Sequence, residues 1–288
     1  MQHLKPIATM SEGEPKPLAD NDEHAETVSV LIALSRSLGN ETVTLIVGKK
    51  RKEFTVHKQL LCDSCGYFRG AFDGSFKEGQ EGKIYLVEES EGAVAIFVEW
   101  LYQSRIRPTI HETYLQDLFK LYVMAEKIIL DELADQVMDA IFLCFSDDTV
   151  YDYLTTEMAN YMWENTQKKS PMRTFIMEAL GHIYYRFIGS KDTEEEKIAY
   201  LQELWPICKN HPDFFAAFFA NFRGQDYYHC GPAKAYLNSP DGFCRFHCHE
   251  KGYECAAIKD RIWFQIQPEW DPEIKKSDFF HDLPDEKK

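Results

Sequence analysis

Val43-Thr44-Leu45-Ile46-Val47-Gly48, Lys49-Lys50-Arg51-Lys52 and Phe54-Thr55-Val56-His57-Lys58-Gln59-Leu60-Leu61-Cys62 form the stretch that decides the fold. Two runs rich in β-branched residues flank a glycine and four consecutive cations. That pattern predicts strands at 43–48 and 53–56 joined by a solvated turn. The cations also match a nuclear-import run, but a wet hairpin tip explains them without one. Downstream, helices are expected over 57–63 and 66–73. A glycine-rich loop from Gly74 to Gly82 then leads to a strand at 83–87. Ala93, Ile96, Phe97, Trp100 and Leu101 recur at helical spacing and place a helix at 92–103. Helices at 112–128 and 131–145 follow, the second with Asp131 as its N-cap. Upstream, Val28, Leu31, Ile32 and Leu38 make a short amphipathic helix over 27–38, ended by Gly39-Asn40.

Several of these elements, with Tyr67-Phe68-Arg69, Phe72-Asp73-Gly74-Ser75-Phe76-Lys77-Glu78 and Trp100-Leu101-Tyr102, resemble the BTB/POZ pattern D-V-T-L-x-V-G, F-x-V-H-K-x-x-L, S-x-Y-F, F-K-E and a final L-Y. The resemblance covers roughly a third of the chain, and a likeness behind that region is to fungal BTB proteins of this size. It implies an α+β BTB/POZ module, a small sheet covered by helices, and a protein-interaction role without a catalytic site. Two positions depart from the pattern. Thr42 stands where the family has aspartate, and Cys65 where it has the serine that caps the next helix; Ser64 is the expected substitute cap. In some BTB repressors that aspartate and a base at the Lys58 position build a charged co-repressor pocket. The missing acid argues against one here.

The same resemblance gives Phe76, Lys77 and Glu78 a role. In BTB adaptors an apolar-x-Glu motif contacts the cullin scaffold of an E3 ubiquitin ligase, with an aromatic anchor entering a pocket. The other reading is that the triplet closes its loop onto the sheet. The resemblance also implies a homodimer, with Val28, Leu31, Ile32 and Leu38 packed across a two-fold axis. His57 has no recognisable nucleophile or second titratable partner and reads as a structural, hydrogen-bonded histidine. Cys62 and Cys65 read as core cysteines.

After residue 146 the pattern is helical, predicting an all-α C-terminal domain over 147–267. Val150, Leu154, Met158, Tyr161 and Met162 form one stripe. Pro171 starts a helix that Gly189 stops, and Thr193 with Glu196 forms a capping box for a helix to about 209. A short aromatic helix covers 213–222. The segment 225–258 changes to Gly, Pro, Cys and His, with Cys244-Arg245-Phe246-His247-Cys248-His249 at its centre. Cys244-x-x-His247 is ligand spacing, and the segment lacks aliphatic residues for its own core. The segment resembles the C-x-x-H-x-H…C tail of fungal BTB proteins of this size, and that resemblance implies a structural zinc on Cys244, His247, His249 and Cys255, with Cys230 as a substitute, which would order it. A loop of unligated thiols packed on the aromatic helix is the other reading.

The 288 residues carry a net charge of −15, against non-specific nucleic-acid binding, and no apolar run reaches the ~20 residues of a membrane span. Polar tails are expected at 1–26, which reads as disordered, and at 268–288, leaving the module with its N-terminal helix at 27–146. Eight cysteines without a secretion signal suggest reduced thiols or metal ligands, hence a cytoplasmic or nuclear protein. The expected function is a non-catalytic, dimeric interaction scaffold, an adaptor joining an unspecified protein substrate to a cullin ligase. The alternative is a nuclear regulator assembling transcription or chromatin factors without touching DNA. A metalloenzyme on the C-terminal domain is a remote third, since no paired carboxylates, phosphate loop or nucleophile–base pair is found.

Overall fold

The computed structural model describes residues 38–107, 112–145, 153–189, 193–221 and 243–249. Val28, Leu31 and Ile32 of the predicted N-terminal helix, both polar tails, Cys230 and Cys255 lie outside these residues.

Strands β1 (Thr42–Val47), β2 (Lys52–His57) and β3 (Lys83–Leu86) form a three-stranded sheet in the order β2-β1-β3. β1 is central. It pairs antiparallel with β2 through the basic turn and parallel with β3. Burial from both faces explains its nearly unbroken apolar run: Leu45, Ile46 and Val47 are all buried. Gly48 takes φ +68°, which suits a residue without Cβ, and its carbonyl accepts the Arg51 amide to close the turn. The four cations at the tip are exposed.

Between β2 and β3 lie helices α1 (Lys58–Ser64), α2 (Gly66–Asp73) and α3 (Lys77–Glu81). The predicted glycine-rich loop thus contains a short helix. Gly79 lets it pack closely on α2, since an added Cβ there would sit 2.8 Å from the Phe72 carbonyl oxygen. Ser64 ends α1 and does not cap α2; Cys65 holds the cap position without a side-chain hydrogen bond. Helices α4 (Glu91–Gln103), α5 (Glu112–Lys127) and α6 (Asp131–Cys144) follow. Asp131 is the first helical residue of α6, not its cap, and Leu130 precedes it. Phe68, Phe97 and Trp100 stack in series in the core, at 5.8 and 6.1 Å between ring centroids.

Helices α7 (Thr156–Asn165), α8 (Pro171–Gly189), α9 (Glu194–Asn210) and α10 (Pro212–Asn221) complete an α+β module followed by an all-α region. Thr193 and Glu196 form the expected capping box. The two regions share one buried apolar cluster, which runs from Val43 through α5 and α6 to Phe175, Phe214 and Phe246. The reason is α6: Phe142 packs on Phe175 of α8 at 6.3 Å, and Phe145, just past its end, reaches the same ring at 5.3 Å.

Candidate functional site

Phe76 is held in solvent. It occupies the N-cap position of α3 with 63% of its surface exposed, beside Gly74. Gly74 and Gly79 let this turn pack down on the end of α2, since a Cβ at either would meet backbone or the phenyl ring. Lys77 pairs with Glu81 at 3.5 Å, and Glu78 is half-buried in the first turn of α3. The triplet therefore presents one aromatic ring on a backbone fixed from below.

A second feature lies at the sheet edge. Lys58, at the start of α1, sits 3.3 Å from Glu41 and 3.7 Å from Asp73. Glu41, Lys58, Asp63 and Asp73 line a cleft of about 160 Å³ together with Gly39, Asn40, Gln59 and Cys62. The Glu41 hydrogen bond is the main cause of a raised Lys58 pKa. Glu41, one residue before Thr42, and Asp73 thus place carboxylates beside Lys58. Sequence alignment compares positions, whereas a longer side chain one residue earlier reaches the same base.

His57 proves structural. Its amide donates to the Tyr102 hydroxyl at 3.1 Å, and its ring Nδ1 lies 2.7 Å from the same oxygen. The histidine and the final tyrosine of the sequence pattern thereby tie β2 to α4. Cys62 and Cys65 are buried, and burial pushes the Cys62 thiol pKa up, away from reactive thiolate. Leu38, the one described member of the predicted dimer face, is half-buried.

The Cys/His segment is docked on α6 and α8. Phe246 is fully buried, with Phe142 at 5.4 Å and Phe175 at 5.8 Å. Arg245 pairs with the buried carboxylate of Glu178 on α8, whose pKa burial raises against the pull of Arg245. The Cys248 amide donates to Asp135, and His247 Nε2 lies 2.9 Å from Asp139; both acids are on α6. Desolvation raises the Asp135 pKa, with the Cys248 amide opposing it. Burial pushes the Cys248 thiol up to about 12, so it is a packed thiol beside the Tyr122 hydroxyl at 3.7 Å. Cys244, His247 and His249 bring one ligand atom each within 4.8 Å of one another. Asp135, Asp139 and Glu178 were not foreseen; on sequence they are polar positions of amphipathic helices, like many others.

Elsewhere, Tyr184, Leu204, Trp205, Cys208, Phe215, Phe218 and Phe219 line an apolar cleft of about 210 Å³ between α8, α9 and α10. No helix among the described residues is long and apolar enough to cross a membrane.

Residues 36–141 match the family model of the BTB/POZ domain. Kelch-like protein 40b of Danio rerio is 32% identical over 84 residues, covering 29% of this chain and 13% of that protein. Kelch-like protein 26 of Danio rerio is 24% identical over 115 residues, covering 40% of this chain and 18% of that protein. The chain therefore spans less than a fifth of the length of these curated relatives. Among solved structures, the BTB (Tramtrack and Bric a brac) domain of human Gigaxonin is 18% identical, with a TM-score of 0.29, over 44% of this chain and 98% of that one.

Proposed function

We propose that this chain, whose residues 36–141 form a BTB/POZ domain, is a non-catalytic scaffold that pairs with a second copy of itself and recruits another protein to a cullin ubiquitin ligase. The observation that carries the reading is Phe76, a phenyl ring 63% exposed on a turn fixed by glycines. A single apolar anchor with a neighbouring carboxylate, here Glu78, is the arrangement that dominates many interfaces. The resemblance of Phe76-Lys77-Glu78 to the cullin-contact motif of BTB adaptors supplies the partner.

The test compares cullin affinity and melting temperature for Phe76→Ala in the full chain. Truncating a hot-spot aromatic should weaken binding by ~2 kcal/mol or more, while an exposed ring leaves the fold's stability nearly unchanged. Glu78→Lys should weaken binding through a misplaced charge. An unchanged affinity, or a loss that only tracks unfolding, refutes the adaptor role.

A second reading, a regulator that assembles transcription or chromatin factors, is favoured by the Lys58–Glu41–Asp73 cleft, which has the charged character of a co-repressor pocket. Lys58→Glu would abolish partner capture in that case and leave cullin binding intact.

A further inference from the structure

We propose that Cys244, His247 and His249 hold a zinc ion that clamps the C-terminal segment onto α6, with Asp139 as the carboxylate that orients His247. The inference stands apart from the cullin reading and rests on geometry. The 3₁₀ turn Phe243–Phe246, continued by the His247 amide bonding to the Cys244 carbonyl at 3.3 Å, turns Cys244 and His247 to one side. His249 lies two residues further on, and its Nε2 is 3.1 Å from His247 Nδ1. The three ligand atoms fall within 4.8 Å of one another. A tetrahedral zinc, bound at ~2.0–2.1 Å to nitrogen and ~2.3 Å to sulfur, separates its donors by roughly 3.3–3.6 Å, so this set closes on the ion with small side-chain movements.

The outer partner strengthens the assignment. His247 has no exposed side-chain surface, and its other nitrogen, Nε2, faces Asp139 at 2.9 Å. A carboxylate on one imidazole nitrogen fixes the tautomer so that the second nitrogen offers its lone pair, and metal-ligating histidines are held this way. Here that second nitrogen is Nδ1, the one turned towards His249. A bare imidazole–imidazole hydrogen bond would use neither Cys244 nor the ligand spacing of all three residues. Two neutral or borderline nitrogens and a thiolate suit zinc more than calcium or magnesium, which take oxygen. Three protein ligands leave the fourth position of the tetrahedron to water, and the ion would serve to hold the segment in place. It would join a segment poor in aliphatic residues to the last helix of the BTB/POZ region, 108 residues away along the chain, adding a coordinate bond to the anchorage that Phe246 and Arg245 already provide.

The test measures zinc content and zinc affinity of the full chain, purified without chelator, alongside cobalt(II) spectra. The expected result is about one equivalent of zinc and a thiolate-to-cobalt charge-transfer band that Cys244→Ser removes. His249→Ala, at a half-buried position that leaves Phe246 in place, should weaken zinc by ~100-fold or more, and Asp139→Asn by ~10–100-fold. Circular dichroism of each variant establishes that it is folded. A full chain that holds no more zinc than the Cys244→Ser, His249→Ala double variant overturns the site. Equal zinc affinity in Asp139→Asn overturns the orienting role, even where the three ligands pass.

Discussion

Truncating Phe246 to alanine tests whether the C-terminal segment shares a core with the BTB/POZ region. The ring has 0% exposure and meets Phe142 and Phe175 at 5.4 and 5.8 Å. Removing a fully packed phenyl ring costs ~3–5 kcal/mol, of which each aromatic pair accounts for about 0.5–1.5 kcal/mol. A second route limits the loss. Residues 243–249 can undock, giving up the Arg245–Glu178, His247–Asp139 and Cys248–Asp135 contacts while recovering backbone freedom. The expected cost is therefore near the lower end, about 3 kcal/mol, which for a unit of this size lowers Tm by roughly 6–12 °C. Calorimetry on the full chain at fixed concentration reads it. A Phe142→Ala, Phe246→Ala double-mutant cycle should return a coupling of about 0.5–1.5 kcal/mol, since the rings touch. A Tm within about 1 °C of the parent, together with zero coupling, would show that Phe246 does not bridge α6 and α8.

Other outcomes follow from single positions. Gly79→Ala forces a Cβ to within 2.8 Å of the Phe72 carbonyl oxygen and 3.0 Å of that of Gly74, so α3 must lift and carry Phe76 with it. Cullin affinity, measured by titration calorimetry, should fall although no contact residue has changed; retained affinity would mean that the turn's position is irrelevant. Tyr102→Phe removes the hydroxyl that serves both His57 atoms and should cost about 0.5–1.5 kcal/mol in urea unfolding. Glu178 gives a pH signature. Its folded pKa is raised, chiefly by burial, so the folded protein binds a proton more readily than the unfolded chain. Its contribution to stability therefore falls as pH climbs from the ordinary carboxylate range through the raised value, and is flat above it. Glu178→Gln should remove that part of the slope above the ordinary carboxylate range in unfolding free energies. An identical slope in the variant would contradict the assignment.

Local chemistry in the sequence was readable where it was strong. The β1–β2 hairpin announces itself through Val43–Val47, Gly48 and four cations, and α8 through Pro171 and Gly189. The Thr193–Glu196 box needs only its own four residues. α3 escaped because five residues between glycines carry almost no periodic signal, and the close packing of Gly79 on α2 is a tertiary contact. The Cys244-x-x-His247 spacing was visible in the residues, while His249 joined the set only through the resemblance to fungal BTB tails. Asp139 was not visible, because nothing in a sequence says which of many helical carboxylates a distant histidine will meet. Glu41 was overlooked at Lys58 for a related reason: motif positions say nothing of side-chain reach. The exposure of Phe76 is a property of its surroundings too, which neighbouring residues in the sequence do not reveal.

The seating of residues 243–249 on α6 also has a timetable. Translation proceeds at ~5–20 residues per second, so the 108 residues between Asp139 and His247 take roughly 5–20 s to make. α6 has left the ribosome well before its cover exists. During that interval Phe142 lacks the ring of Phe246, and the carboxylates of Asp135 and Asp139 lack their partners. For that interval the seam on α6 stands open, and its apolar and acidic side chains meet solvent before they meet residues 243–249.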